Sequence, residues 1–280
     1  AESNVAASIA NYEITEEFVT RLPDNDIGHC ALMELRKRGV GTAHVLIGGD
    51  RLGLYFLETG AVSRGSKVIY DREHSAISQI EVGMIDWDAV FREVDWFHWT
   101  GITPAISQGA ADVCLEAVKA ASEKGITIST DLNYRKKLWN YGGDKEKIMT
   151  ELAGYCDIIL ANIDDAEVFF GIRPEGAVPA KEQYQDRVDA FVSISQQIMI
   201  RFPKVKKVVS SLRGSISASH NTWSGIMYDG AKTFESPQYQ ITDIVDRVGG
   251  GDSIMGGIIY GLLARPDDDQ YALNFATAAS

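Results

Sequence analysis

The sequence predicts an α/β fold, a three-layer α/β/α sandwich on a mostly parallel central sheet with a small β-sheet insertion. Three observations carry that expectation. Strand-like apolar runs alternate with amphipathic helical segments along most of the 280 residues, the rhythm of strands joined by crossover helices. Between 42 and 80 the rhythm gives way to short strands with no helix among them. Towards the C-terminal end several strands follow one another directly, an antiparallel portion, before a glycine-rich turn opens a helix.

Taken in order, residues 3–12 read as a helix with Val5, Ala6 and Ile9 along one side. EEFVTRLP is a short strand, and Asp24 to Arg38 a helix closed by Gly39. TAHVLIG, RLGLYFLET and SKVIYD are the inserted strands, divided by turns at Gly48-Gly49-Asp50 and Thr59-Gly60. The expected division is a core of residues 1–41 and 81–280 and a β-sheet lid of residues 42–80, because a small sheet at the edge of a scaffold commonly covers a site. Alternation sets Tyr55 beside Leu57 and Tyr70 beside Arg72; packed tyrosines with a solvated Arg72 are the competing explanation. The α/β rhythm then resumes. DWDAVFREV is a helix capped by Asp86, DWFHWTG a strand, Ser107 to Lys124 a helix ending at Gly125, and ITISTDLNYR a strand. Asp144 to Tyr155 is a helix, CDIILAN a strand, Asp164 to Gly171 a short helix and residues 181–201 a longer one after the loop RPEGAVP. VKKVVSSL, SISASH, WSGIMYD and AKTFES complete the strands.

Composition removes several classes of function. The formal charge of -12 at pH 7, with no basic run, excludes a nucleic-acid surface. No stretch reaches the roughly 18 to 20 apolar residues that span a bilayer, and no signal peptide is visible. Cys30, Cys114 and Cys156 are far apart and odd in number, as expected of reduced thiols in a cytoplasmic protein. HExxH, GxSxG, GxxxxGK[ST] and an N-terminal GxGxxG are all absent, which removes the zinc, serine-hydrolase, P-loop and dinucleotide sites that those spacings build.

The chemistry concentrates in DRVGGGDSIMGGIIYGLL. Gly250 and Gly251 stand at the start of a helical run, where unpaired N–H groups and the positive end of the helix dipole attract phosphate. Glycine lets an anion approach the backbone without meeting a Cβ. Asp252 in the same turn would repel that anion, and a carboxylate there suits a base that takes a proton from a hydroxyl while the amides hold a phosphoryl group. An ordinary N-cap is the alternative on GGGD alone. In a parallel sheet, ligands bind beyond the carboxyl ends of the strands, and three strands here end in polar clusters. Asp131, Asn133 and Arg135 alternate, so continued extension puts all three on one face. Asn162 is followed by Asp164, Asp165 and Glu167. Ser210, Ser211, Arg213 and Gly214 end the third.

DRVGGGD resembles the D-T-x-G-A-G-D signature of the ribokinase-like, or PfkB, carbohydrate kinases, with Arg247 where Thr is usual and Gly250 where Ala is usual. DLNYRKKLW, LYFLETG, VIYDR and SLRGSISASHNTWSG extend the resemblance over most of the chain, towards the members that phosphorylate 2-keto-3-deoxygluconate. It implies the ribokinase-like sandwich and ATP-dependent phosphorylation of the C6 hydroxyl of that acid. Asp252 is then the catalytic base, and Gly249, Gly250 and Gly251 are the anion hole. Asn4, Tyr55, Tyr70, Arg72 and Arg135 are placed on the substrate. Asn162, Ser211, Arg213 and Gly214 fall on the nucleotide together with Gly249 and Gly251. Asn162 and Asp165 match an N-x-x-E motif associated with hydrated magnesium, with Asp in place of Glu. ATP and Mg²⁺ are the implied cofactors, with room for a monovalent cation, and no nucleic acid or membrane partner is expected. Lid sheets of this family often pair between subunits, which implies a homo-oligomer. The family pattern also implies a first strand and two glycines ahead of Asn4, and a segment after Ser280, that are missing. A sugar acid carries a permanent carboxylate, which favours arginine, so Arg72 and Arg135 favour it over a neutral sugar. A fructokinase- or ribokinase-type enzyme and a non-catalytic sugar-acid sensor of the same fold are the alternatives.

Overall fold

A computed structural model describes residues 1–58, 67–176, 184–215, 220–242, 244 and 248–280. The elements run α1 (Glu2–Asn11), β1 (Thr20–Leu22), α2 (Asp26–Lys37), β2 (Val45–Ile47), β3 (Leu54–Glu58), β4 (Lys67–Asp71), a 3-10 turn (Ala76–Gln79), α3 (Trp87–Val90) and β5 (Trp96–Thr100). They continue with α4 (Gln108–Glu123), β6 (Thr127–Asp131), α5 (Lys145–Ala153), β7 (Ile158–Leu160), α6 (Ile163–Phe170), α7 (Tyr184–Arg201), β8 (Lys207–Ser215), β9 (Asn221–Tyr228), β10 (Thr233–Glu235), β11 (Tyr239–Ile241), α8 (Gly250–Ala264) and α9 (Asp269–Ala279). Strand order in the central sheet is β10-β9-β8-β7-β6-β5, with β11 also paired to β9. From β5 to β8 the pairs are parallel, and β9 turns back antiparallel to β8. This is the predicted α/β/α sandwich.

Alternation along the strands feeds two cores. Ile128, Ile159, Val208, Leu212 and Ile226 pack under α3 to α7, while Ile158, Leu160, Val209 and Met227 pack under α1, α8 and α9. A strand buried on both faces reads as a continuous apolar run, which is why β7 and the first half of β8 are legible in the sequence. Helix starts follow their caps: Asn25, Asp86, Ser107, Asp144 and Asp268 each accept a backbone N–H of the first turn. The helix expected over DWDAVFREV lasts only from Trp87 to Val90.

α8 carries almost no polar face, and its glycines explain how it packs on both neighbours. A Cβ on Gly257 would lie 2.4 Å from the Cα of Ala276, and one on Gly261 would lie 2.5 Å from the Cα of Ala272, so only glycine admits the backbone of α9 at these two turns. On the other side, a Cβ on Gly256 would lie 2.7 Å from Cβ of Ser8 in α1. The middle of α8 is thereby fixed between two helices.

The inserted strands divide differently from the sequence reading. β2, grouped there with the small sheet, pairs in parallel with β1, and the small antiparallel sheet is β3 with β4. The turn at Thr59-Gly60, residues 181–183 where the long helix was expected to begin, the part of RPEGAVP after Gly176, most of SISASH, and the signature residues Asp246 and Arg247 lie outside the described residues.

Candidate active site

Gly249 takes φ 90°, a left-handed conformation that suits glycine, and from it α8 begins at Gly250. The sharp entry points the first amides of α8 outward, an end that favours an anion. Asp252 is buried in that first turn at 8 % exposure. Asn4 Nδ2 donates to its Oδ2 at 2.7 Å, and the Ala1 nitrogen lies 3.2 Å from the same oxygen. Among the described residues Oδ1 accepts no hydrogen bond, so one oxygen of Asp252 is available to an incoming hydroxyl. Asn4 is a residue inside α1 rather than a cap, and its polarity is spent on Asp252. Arg213 comes to the same turn. Its guanidinium lies 5.2 Å over the Trp223 ring, and a Cβ on Gly250 would lie 3.9 Å from its Nη2 and 3.4 Å from the indole.

The end of β6 departs from the alternation expected of it. The strand stops at Asp131, and Asn133 turns left-handed with φ 44°, so Asp131, Asn133 and Arg135 do not share a face. The reason is local chemistry. Asp131 Oδ1 accepts the Asn133 N–H at 3.1 Å, an aspartate turn that outcompetes further extension. Asp165 Oδ1 then accepts the Tyr134 N–H at 3.3 Å. Burial pushes the Asp131 carboxyl well above the usual range, and the charges of Asp165 and Asp252 push the same way, against Arg135. Burial likewise pushes Asp165 up to about 6, helped by Asp164 and opposed by the Tyr134 N–H and Arg135.

Across the site, β3 and β4 pair with Tyr55 opposite Tyr70. Val68, Tyr70 and Arg72 are half-buried while Lys67, Ile69 and Asp71 are exposed, so the first set faces the protein. The Arg72 guanidinium lies 5.3 Å over the Tyr70 ring. Burial works against its charge, and Glu2, Tyr70 and Tyr55 offset that, while Arg135 adds to it. Arg72 and Glu2 line one cavity of about 880 Å³ that runs along β5, and Asp252 lies outside that lining. Lys137 Nζ, in the loop after Arg135, donates to Val68 O at 2.7 Å and ties β4 to the core.

Other predicted residues, apart from the Arg213 guanidinium, are placed without such convergence. Asn162 caps α6, its Oδ1 accepting the Asp165 N–H at 2.7 Å. Ser211, Arg213 and Gly214 lie within β8 and not in a loop beyond it, with Gly214 opposite Thr222. Glu2 and Trp223 were not among the predicted site residues, and Asp131 was marked only as part of a strand-end cluster without a role. The aspartate two residues before Asn133 was a readable turn signal. Nothing in the sequence brings Trp223 to Gly250.

A sandwich with an anion-binding helix start, a buried carboxylate in its first turn and a facing small sheet defines a kinase-type site. The chain matches the pfkB family carbohydrate kinase model over residues 1–199, and it belongs to that family. Among its relatives, the crystal structure of 2-dehydro-3-deoxygluconokinase from Thermotoga maritima is similar at 41 % identity and a TM-score of 0.90, over 99 % of this chain and 82 % of that one. The 2-dehydro-3-deoxygalactonokinase of Haloferax volcanii is 29 % identical over 280 residues, which is 100 % of this chain and 80 % of that protein. The 2-dehydro-3-deoxygluconokinase of Bacillus subtilis is 27 % identical over 265 residues, 94 % of this chain and 73 % of that protein.

Proposed function

We propose that this carbohydrate kinase transfers the γ-phosphoryl group of ATP to the C6 hydroxyl of 2-keto-3-deoxy-D-gluconate. The observation that carries the reading is the free Oδ1 of buried Asp252 beside the outward amides of Gly250 and Gly251. In this reading Asp252 takes the hydroxyl proton as the hydroxyl oxygen attacks phosphorus. The helix start and Arg213 hold the phosphoryl oxygens, so positioning and electrostatics supply most of the rate. Arg72 and Arg135 suit the carboxylate end of the acid, and Tyr55 and Tyr70 its walls. Ser211, Gly214 and Asn162 are assigned to the nucleotide side.

Magnesium fits this chain as a hydrated ion. Among the described residues no cluster of three His, Cys, Asp or Glu side chains could hold a metal directly. Asn162 spends its oxygen on the cap of α6, while Asp165 uses only Oδ1 in a hydrogen bond, which leaves Oδ2 to accept from a bound water. Bound with the nucleotide, the ion would neutralise phosphate charge. A monovalent cation remains part of the proposal through the family resemblance alone.

Residues 42–80 are proposed as the lid and the remainder as the core. The outward face of β3 and β4 carries Phe56 at 56 % and Ile69 at 51 % exposure, directly opposite each other, which supports pairing of lids in a homo-oligomer. Among the described residues no helix is long and apolar enough to cross a membrane, and a cytoplasmic location is part of the same proposal.

The name of the Haloferax relative makes the C4 epimer the competing substrate. A coupled ATP-turnover assay against the gluconate-derived acid, its C4 epimer and fructose tests the reading. Turnover of the gluconate-derived acid at the highest kcat/KM is expected. A preference for fructose, or ligand binding without ADP release, overturns it.

A further inference from the structure

We propose that Asp131 is a positioning residue, whose carboxyl group holds the left-handed turn at Asn133 that presents Arg135 to the site. The inference rests on the kinase reading for what Arg135 meets, and on geometry alone for how Arg135 is held.

Two backbone hydrogen bonds hold the chain just before the turn. Gly101 N donates to Asp131 O at 2.9 Å, and Leu132 N donates to Leu160 O at 3.0 Å, so β6 is locked to both neighbouring strands up to that point. The chain then reverses within two residues. Asp131 Oδ1 takes the Asn133 N–H, and Oδ2 takes Asn133 Nδ2 at 3.3 Å; both side chains are buried, at 6 % and 7 % exposure. A left-handed residue other than glycine is strained unless its surroundings compensate, and Asn tolerates it best. The two bonds from Asp131 are that compensation. Asp165 closes the next link by accepting the Tyr134 N–H, and the Tyr134 ring packs edge-on against Phe169 at 5.4 Å. Arg135 follows at the surface of the site, where its Nη1 donates to Tyr134 O at 3.4 Å. Its own side chain is thus weakly held, and its direction is inherited from the turn before it.

Asp131 also reaches the anion turn, where a Cβ on Gly251 would lie 3.6 Å from its Oδ2. A second acid–base role beside Asp252 is therefore the competing assignment, and the two separate cleanly. A positioning role needs an oxygen at Asp131 for the Asn133 N–H and no ionisable group, and the second contact is kept when the Asn133 amide turns its own oxygen towards a donor there. Asn supplies the oxygen, so Asp131→Asn should rescue what Asp131→Ala loses.

The test compares wild type, Asp131→Ala, Asp131→Asn, Arg135→Met and the Asp131→Ala/Arg135→Met double variant, titrated separately with ATP and with the 2-keto-3-deoxy acid. Whichever ligand loses about 10- to 100-fold in affinity on Arg135→Met should lose about as much on Asp131→Ala. The double variant should fall less than about 3-fold below Arg135→Met alone, because one interaction cannot be lost twice. Asp131→Asn should stay within about 3-fold of wild type. Additive losses, or an Asp131→Asn variant as weak as Asp131→Ala, overturn the proposal. Should Asp131→Ala fail to fold, Asn133→Val replaces it, since a β-branched residue resists the left-handed turn while Asp131 stays in place. Amide exchange at Asn133 and Tyr134 needs no ligand, and about a tenfold acceleration is expected in Asp131→Ala or Asn133→Val and not in Asp131→Asn. Unchanged protection overturns the proposal even where neither ligand binds, so its failure is distinguishable from failure of the kinase reading.

Discussion

Asp252 is a buried carboxylate with one oxygen bound to Asn4 and the other without a hydrogen bond among the described residues, which is the arrangement a general base needs. Asp252→Asn keeps the volume and the Asn4 contact while removing the base. Turnover is expected to fall roughly 10²- to 10⁴-fold with KM for the sugar acid little changed. Near-wild-type kcat would remove Asp252 from that role. Arg72 tests the other end. It sits against Tyr70 in the cavity that Glu2 also lines, and a charge-assisted pair with a carboxylate is about twice as strong as a neutral hydrogen bond. For Arg72→Ala we expect roughly a 10²-fold rise in KM for the acid substrate and little change for any neutral sugar that the enzyme turns over. Equal losses for both would assign Arg72 to the phosphates or to the lid. In the sequence Asp252 stood out as a carboxylate in a glycine turn, whereas Arg72 entered the candidate site only through the family resemblance. The sequence reading misjudged Asp131, Asn133 and Arg135 because period-2 extension was assumed past the end of β6, where a side chain competes with the backbone ladder.

At the scale of elements, α8 holds the site through what it lacks. Gly257 and Gly261 bring α9 into contact backbone to backbone, and a methyl at Gly257 must displace Ala276. Gly257→Ala gains about 1 kcal/mol of helix propensity, but overpacking of a close backbone contact costs about 1–3 kcal/mol. The net expectation is a lower denaturant midpoint with an unchanged m-value, together with weaker ATP affinity as the start of α8 shifts. A variant more stable than wild type would mean that α9 moves aside freely. The glycines were visible in the sequence, but which of them made the turn and which met a helix was not. Gly249 and Gly257 look alike until φ 90° at the first and Ala276 at the second separate them.

Over the whole molecule, β5 is the edge of the central sheet, and a loop from Ile14 to Val19 crosses the cavity beside it. Glu16 in that loop accepts the Gly41 N–H at 3.0 Å through Oε1, while Oε2 is buried without a partner among the described residues. Burial pushes its pKa up to about 7, with Glu17 adding to the shift and the Gly41 N–H opposing it. A pKa raised on folding gives stability that is complete below the ordinary glutamate value and is lost as pH rises through about 7. His98, across the same cavity, is pushed down to about 4 by burial, against the pull of Glu2 and Asp252, so its contribution runs the other way and is lost as pH falls. Comparing Tm of Glu16→Gln with wild type isolates the first effect. Between pH 5 and pH 8 the difference should move steadily in favour of Gln. A difference independent of pH would mean that Glu16 is not titrating in this window.

The sequence by itself determined the α/β/α sandwich, the places of most helices and strands, and the glycine turn that opens a helix beside a carboxylate. Those are written in local pattern: apolar period, caps, and glycine where a Cβ would intrude. Tertiary structure decided the rest. It paired β2 with β1 instead of β3, ended β6 at Asp131, spent Asn162 on a helix cap and brought Trp223 to Gly250. Each depends on which segment wins a shared hydrogen bond or a shared space, and that competition exists only once the chain is folded.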